Sequence, residues 1–418
     1  MLRFIASDLR RHWAGVLAIV LIVALATALG VAVTLQERAL RLGSARAADA
    51  FDLVVGAPGS ETQLVLSAVF LQAAPLPLLP GSVLAGLVAD PRVAWAAPVG
   101  FGDFIDSYPI VGTTPALLDG MGGLAEGNVF ARLGDAVIGS MVGMRLGDHF
   151  HPQHGRVGGP GGTHAEITYR IVGRLAPTGT AWDRAVLVPI ETVWLAHHHD
   201  EPEVAVAGAS NPFLHKEDEP HAGESPLDMP LQADSVADPT APGVPAIVVK
   251  PKTIADAYKL RQQYRSDHSL AVFPGEVLTR LYATLGDVRT ILSIVAAGAQ
   301  GLVGAAILLV VTVHVVQRRR QIGALRALGA PRFAVFAIVW GEVLLIAGTG
   351  LILGFGLGYV AARALSSAFT SASGFALPVA FAAGDLVRLG VLLGVTALVA
   401  SLPALLAYRQ SPASALRS

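Results

Sequence analysis

Two groups of residues in this chain have the types and spacing to do chemistry. The first is histidine. Ten of the twelve histidines fall between positions 149 and 268, and two clusters stand out among them. His149, His151 and His154 lie in HFHPQHG, with His164 nearby; His197, His198 and His199 lie in HHHDE, followed by His215 and His221. Imidazole beside carboxylate suits zinc, nickel or copper, and a His-x-His pair on a strand puts two ligands on one face. The alternative is a solvated polar loop that needs no metal. A divalent ion such as Zn would be held loosely there, because an unstructured loop must be ordered on binding. The second group is the run Gln317–Arg332, QRRRQIGALRALGAPR, with five arginines and no acid. Ile322, Leu325 and Leu328 recur about once per helical turn, with Arg319 and Arg326 off that face. This predicts a short amphipathic helix ended near Gly329–Pro331.

Several chemistries are excluded. The chain has no cysteine, so disulfides, thiol catalysis and Cys-ligated zinc are ruled out. It has no GxxxxGK[ST] loop for ATP and no GxSxG or HExxH, so neither a nucleotide site nor a hydrolase is indicated and the chain reads as non-enzymatic. The Gly-rich GRVGGPGGTH (155–164) lacks the GxGxxG spacing and reads as a turn. A net charge of −1 gives no bias toward nucleic acid.

The elements that must position these groups divide between lipid and water. Only 15% of the 418 residues are charged, against about 25% in a soluble domain, so part of the chain uses lipid as its solvent. Four segments reach the roughly 20 apolar residues that a bilayer needs. The first, between His12 and Glu37, exceeds a signal-peptide h-region and reads as an uncleaved helix. The second lies between Arg289 and Arg318, the third between Arg332 and Arg363, and the fourth between Arg388 and Arg409. The resulting division is 1–12, a cytoplasmic N-terminus; 13–36, the first span; 37–288, an extracytoplasmic domain with helical stalks at both ends; 290–317, the second span; 318–332, the basic helix; 333–362, the third span; 363–385, a short outer connection; 386–408, the fourth span; and 409–418, a cytoplasmic tail. Arginines near the span ends put both termini and the basic run in the cytoplasm. Arg38, Arg41 and Arg46, just after the first span, oppose that orientation mildly.

In the third span Gly350, Gly354 and Gly358 repeat every four residues, which stacks them on one face and predicts close helix packing, within the bundle or in a dimer. Glu342 lies about 15 Å along the helix from Arg332. An acid inside a membrane span is a functional candidate, or else a carboxylate paired to a neighbouring helix.

Between the first and second spans the pattern is α/β or α+β. Strands are predicted at 51–55, 93–99, 108–112, 166–175, 246–250 and 270–273. Helices are predicted at 62–71, over TIADAYKLRQQYRSD and from Gly275 onward; 135–147 and 185–196 each read as a strand running into a helix. The stretch 197–245 is rich in Pro, Asp, Glu and His without period, and reads as disordered. The fold class is therefore membrane α-helical, four transmembrane helices arranged 1+3, with a large extracytoplasmic α/β (α+β) domain.

This layout, with QRRRQIGALRALGAPR, Glu342 ten residues on and the ending PALLAYRQSPASALR (403–417), resembles the macrolide-exporter, lipoprotein-releasing and division-associated ABC permeases (MacB-, LolC- and FtsX-like). The family shows R-x-x-E-I-G-x-L-R-A-x-G-A at the basic run; Gln321 stands here where it usually has Glu. FDLVVGAPGS (51–60) and PTGTAWDRAVLVPIETVW (177–194) are similar to the family's outer domain, in a branch often rich in histidine. The resemblance implies a homodimer or paired permease subunits in a bacterial inner membrane. Each would bind a separate cytoplasmic ABC ATPase that holds ATP and Mg, and work would be done outside the membrane. It makes Arg318, Arg319, Arg320, Ile322, Gly323, Leu325, Arg326 and Gly329 the candidate ATPase-coupling residues. Two other readings stand beside export: a regulator that drives a periplasmic protein partner without transport, and a metal-handling module built on the histidine-rich loop.

Overall fold

The computed structural model describes residues 9–11, 13–72, 74–154, 166–197, 226–232, 234–284 and 331–409, with six single helical positions between 290 and 305. The helices are α1 (Trp13–Asp49), α2 (Glu61–Phe70), α3 (Gly81–Val88), α4 (Pro115–Gly120), α5 (Ile190–His197), α6 (Ile254–Gln263), α7 (274–284), α8 (Arg332–Ser373) and α9 (Ala383–Arg409). The strands are β1 (Leu53–Gly56), β2 (Val93–Ile105), β3 (Tyr108–Thr113), β4 (Leu124–Gly127), β5 (Asp135–Ile138), β6 (His149–Phe150), β7 (Gln153–His154), β8 (Tyr169–Leu175), β9 (Val186–Pro189), β10 (Ala246–Pro251) and β11 (Leu270–Val272). They fall into two compact units. One comprises Met1–Leu40, Leu285–Ala368 and Pro378–Ser418; the other comprises Arg41–Thr284 and Phe369–Leu377.

The α/β unit is built on a mixed sheet of order β11-β1-β10-β2-β3-β9-β5-β8-β4, with β6 on β8 and β7 on β2. β2 holds its two halves together. Val93–Val99 pair with β10, and Gly100–Ile105 pair with β3. The β3–β9 and β5–β8 pairs are parallel. Side chains alternate between two cores. Leu53, Val55, Ala136, Ile138, Val186 and Val188 face one side, where α3 and α5 cover them. Val54, Val137 and Leu187 face the other, with Leu64, Val65, Leu117, Leu118 and Trp182. Period-2 alternation with both faces covered makes these strands read as apolar runs rather than as in/out patterns.

Two expectations for this unit are corrected. Residues 139–147 are not a helix: β5 stops at Ile138. The following backbone is held by bonds that helix formation would break. Met141 N donates to the Asp183 carbonyl at 2.8 Å, and Arg174 donates to the carbonyls of Val142 and Met144 at 2.9 and 2.7 Å. The expected disorder over 197–245 does not extend to 226–245. Leu133 N and Gly134 N donate to the carbonyls of Met229 and Leu227, and Val244 and Leu79 exchange a pair of backbone bonds. Ser235 Oγ donates to Glu191, whose burial pushes its carboxyl above the usual range. The polar composition hid these anchors because only a few apolar residues, Leu227 and Val244 among them, hold the segment down. The short helices α3 and α4 and the two-residue strands β6 and β7 are too brief to show a period.

In the helical unit, three helices among the described residues are long and apolar enough to cross a membrane: Trp13–Asp49, Phe333–Ser373 and Ala383–Leu402. The second expected span, 290–317, lies outside the described residues except at six positions, so the 1+3 arrangement rests on the sequence. The expected connection 363–385 is mostly helix. No breaker occurs in LSSAFTSAS, and α8 ends only at Gly374. There φ is +83° and the Gly374 N–H closes on the Thr370 carbonyl at 2.8 Å, a left-handed cap.

Candidate functional site

The candidate coupling residues Arg318, Arg319, Arg320, Ile322, Gly323, Leu325, Arg326 and Gly329 lie outside the described residues. Glu342 lies on α8, half-buried and engaged rather than free.

The glycine face meets α1. A methyl group added at Gly350 would lie 2.7 Å from Val23 Cβ, one at Gly354 would overlap the Ala24 carbonyl oxygen, and one at Gly358 would lie 2.7 Å from the Ala28 carbonyl oxygen. Backbone approaches backbone along three successive turns, a contact that any larger side chain would prevent.

The histidines are spread over the α/β unit. His149 pairs with Arg170 where β6 meets β8. His151 Nδ1 lies 2.9 Å from the Ile167 carbonyl, and His154 Nδ1 lies 3.3 Å from Asp103 Oδ1. The His151 and His154 rings thus engage different neighbours. Among the described residues, no three His, Asp or Glu side chains gather to hold a metal ion. His197 ends α5; His198 and His199, with His164, His215 and His221, lie outside the described residues.

The arrangement with the clearest mechanical character was not foreseen. It joins the turn at 178–184 to residues 369–377, the tip of α8 and the loop after it. Asp183 is 3% exposed and its carboxylate ties the turn together. Oδ1 accepts from Thr178 N at 2.8 Å and Thr178 Oγ1 at 2.9 Å, and Oδ2 accepts from Gly179 N at 2.8 Å. The Gly179 carbonyl so positioned accepts from Ala376 N at 3.1 Å. Arg184 donates to the Ser371 carbonyl at 2.6 Å and to Ser107 Oγ at 3.0 Å, and lies over the Tyr108 ring at 4.9 Å. Phe375 is buried edge-on between Phe70 and Phe369, at 5.6 and 5.4 Å. Beneath the turn, Trp182 is fully buried, 5.9 Å from Phe51.

This seat is rigid for a stated reason. Three hydrogen bonds to one buried carboxylate fix the turn, and the docked loop adds one backbone acceptor at Ser371, one backbone donor at Ala376 and an aromatic plug. It offers no nucleophile or acid–base pair; what it can do is carry force. In the sequence PTGTAWDR stands out only as part of the 177–194 stretch similar to the family's outer domain, and nothing in 369–377 marks it as the partner.

Residues 293–413 match the family model for the FtsX-like permease C-terminal domain. No curated protein matches the chain. Among solved structures, the chain is similar to the periplasmic region of MacB from Actinobacillus actinomycetemcomitans. That likeness has 10% identity and a TM-score of 0.33, over 56% of this chain and 95% of that one. It is also similar to the extracellular domain of the noncanonic ABC-type transporter YknZ from Gram-positive bacteria, at 9% identity and a TM-score of 0.27, over 53% and 98%. Both scores are too low to bear on fold or function.

Proposed function

From the match of residues 293–413 to the FtsX-like permease C-terminal family model, we infer that this chain is an ABC transporter permease of that type and that it couples ATP hydrolysis by a separate cytoplasmic ATPase to work on the far side of the membrane. The match to the permease family carries this reading. The chain works as a homodimer or beside a paired permease, in a bacterial inner membrane, with both termini cytoplasmic and the α/β unit outside.

The proposed path begins at the basic helix 318–332, where the ATPase grips, and follows α8 to its tip. α8 is one unbroken helix of 42 residues, about 63 Å at 1.5 Å per residue. That is roughly twice the 30 Å hydrocarbon core, so it reaches well past the lipid to the segment seated on the 178–184 turn. Asp183 and Arg184 then receive the displacement in the α/β unit. No substrate need pass between the helices.

The test is co-purification in mild detergent, followed by ATPase assays on the reconstituted complex. Reversing Arg318, Arg319 and Arg320 to Glu should abolish stimulation of the ATPase while the protein still inserts. Unchanged stimulation would remove the basic helix as the coupling site. Failure of any ATPase to co-purify would remove the permease reading of its partner. The metal reading is tested separately, by zinc titration of the full chain against a variant with His197, His198 and His199 replaced by Ala. Equal affinities would exclude that run as a ligand source.

A further inference from the structure

Within the helical unit, each pair of described helices is tied at a different place. α1 and α8 meet along Gly350, Gly354 and Gly358, where only missing side chains let the backbones close. α8 and α9 are joined near their opposite end. Trp340 Nε1 donates to the Ala397 carbonyl at 2.9 Å, and Val335, Val343 and Ala400 are buried together there. α1 and α9 are joined by an ion pair: Arg38 Nη1 donates to Asp385 Oδ2 at 2.7 Å and Nη2 to Oδ1 at 2.8 Å. Arg38 also reaches the Ala380 carbonyl at 3.4 Å. Asp385 Oδ2 accepts from Ala382 N at 2.8 Å as well, so the same carboxylate caps the first turn of α9.

Arg38 lies about 38 Å along α1 from Trp13 at 1.5 Å per residue, past the roughly 30 Å hydrocarbon core. The pair therefore sits at the polar edge of the membrane. The Asp385 side chain is 6% exposed. Parting the two would leave a carboxylate with little water and only the weaker attraction of Arg388 to offset its charge, beside an unsatisfied helix end. The pairing also cancels one of the three arginines that opposed the expected orientation, so Arg38 does not act as a free positive charge after the first span.

We infer that α1, α8 and α9 are one rigid body throughout the permease cycle, closed at its outer edge by the Arg38–Asp385 clip. The three ties lie on three sides of a triangle, and sliding any helix along another would break at least one of them. The stroke is then a displacement of this body as a whole. The mechanical part of this inference rests on the permease reading; the clip itself does not.

Because the chain has no cysteine, one engineered pair reports one contact. The double variant Arg38→Cys/Asp385→Cys, in the full chain with its co-purified ATPase, is bridged by a short bifunctional thiol reagent. The bridge should form equally without nucleotide and with bound ATP, and the bridged protein should keep the ATPase stimulation of its unbridged form. A yield that falls on ATP binding, or stimulation lost on bridging and regained on cleaving the reagent, would overturn the rigid body. The clip is tested without any ATPase. Arg38→Asp should lower the melting temperature in detergent by several degrees, and Arg38→Asp/Asp385→Arg should restore it. A swapped variant no more stable than Arg38→Asp would remove the clip, whatever the ATPase assays give.

Discussion

In the α/β unit the core is filled by large side chains: Trp182, Tyr169, Leu187 and Ile138 are essentially without exposure. In the helical unit α1 and α8 close on each other where a side chain is missing, at Gly350, Gly354 and Gly358. Its large apolar residues point outward instead; Ile352, Leu353, Val360 and Leu398 are all half-exposed or more. The difference follows from the solvent. In water, burying Trp and Leu is itself the driving force, so a domain gathers them inside. In lipid that force vanishes between helices, because acyl chains are as apolar as leucine. Association then comes from close van der Waals approach and from a few satisfied polar contacts. The Arg38–Asp385 pair and the Trp340–Ala397 bond are contacts of that second kind.

This contrast can be broken in order of effect. Trp182→Ala should be the most damaging change in the α/β unit, costing about 3–5 kcal/mol for the transfer and cavity terms of a buried aromatic; urea unfolding of the α/β unit in detergent would measure it. Next comes Gly354→Leu, which drives a side chain into the Ala24 backbone and should cost about 1–3 kcal/mol, with loss of the monodisperse detergent-solubilised protein. A Gly354→Leu protein as stable as the parent would show that α1 and α8 are held by something other than close approach.

The pH dependence of the α/β unit is a smaller effect. Burial raises the Glu191 carboxyl above its usual value, so the native state binds that proton more tightly than the unfolded chain does. The sign follows directly: the group favours folding at pH below its unfolded value and loses that contribution as pH rises to its native value. Glu191→Gln should flatten this slope in melting curves taken from mildly acidic to neutral pH. An unchanged slope would mean the carboxyl is not the titrating group. The smallest effect is expected two residues from the stripe. A Cβ at Gly356 would meet nothing within 4 Å, so Gly356→Leu should change stability by less than about 0.5 kcal/mol. Similar losses from Gly354→Leu and Gly356→Leu would make α8 merely glycine-dependent rather than face-dependent.

Much of the fold is legible in the residues. The strands at 53–56, 108–113, 186–189 and 246–251 are short apolar runs bounded by turns, and the helices at 61–70, 190–197 and 254–263 follow their own periods. What escaped was held by partners distant in sequence. The turn at 139–147 is fixed by Asp183 and Arg174, and the polar segment 226–245 by backbone groups at 131–134 and 79. Local composition carries no information about such partners, because a backbone N–H looks the same whatever it will meet.

The amino-acid sequence by itself determined that lipid is the solvent for part of this chain, that the rest is an α/β domain, and that the chain resembles a family of permeases. It also placed three glycines on one face, because a spacing of four needs only the helix repeat. The tertiary structure alone decided which helix that face meets, that Arg38 spends its charge on Asp385, and that residues 369–377 sit on the turn held by Asp183. The physical reason is the same in each case. Period and composition are local properties of a chain, whereas an ion pair across 347 positions and a loop seated on a distant turn exist only after the backbone has closed on itself.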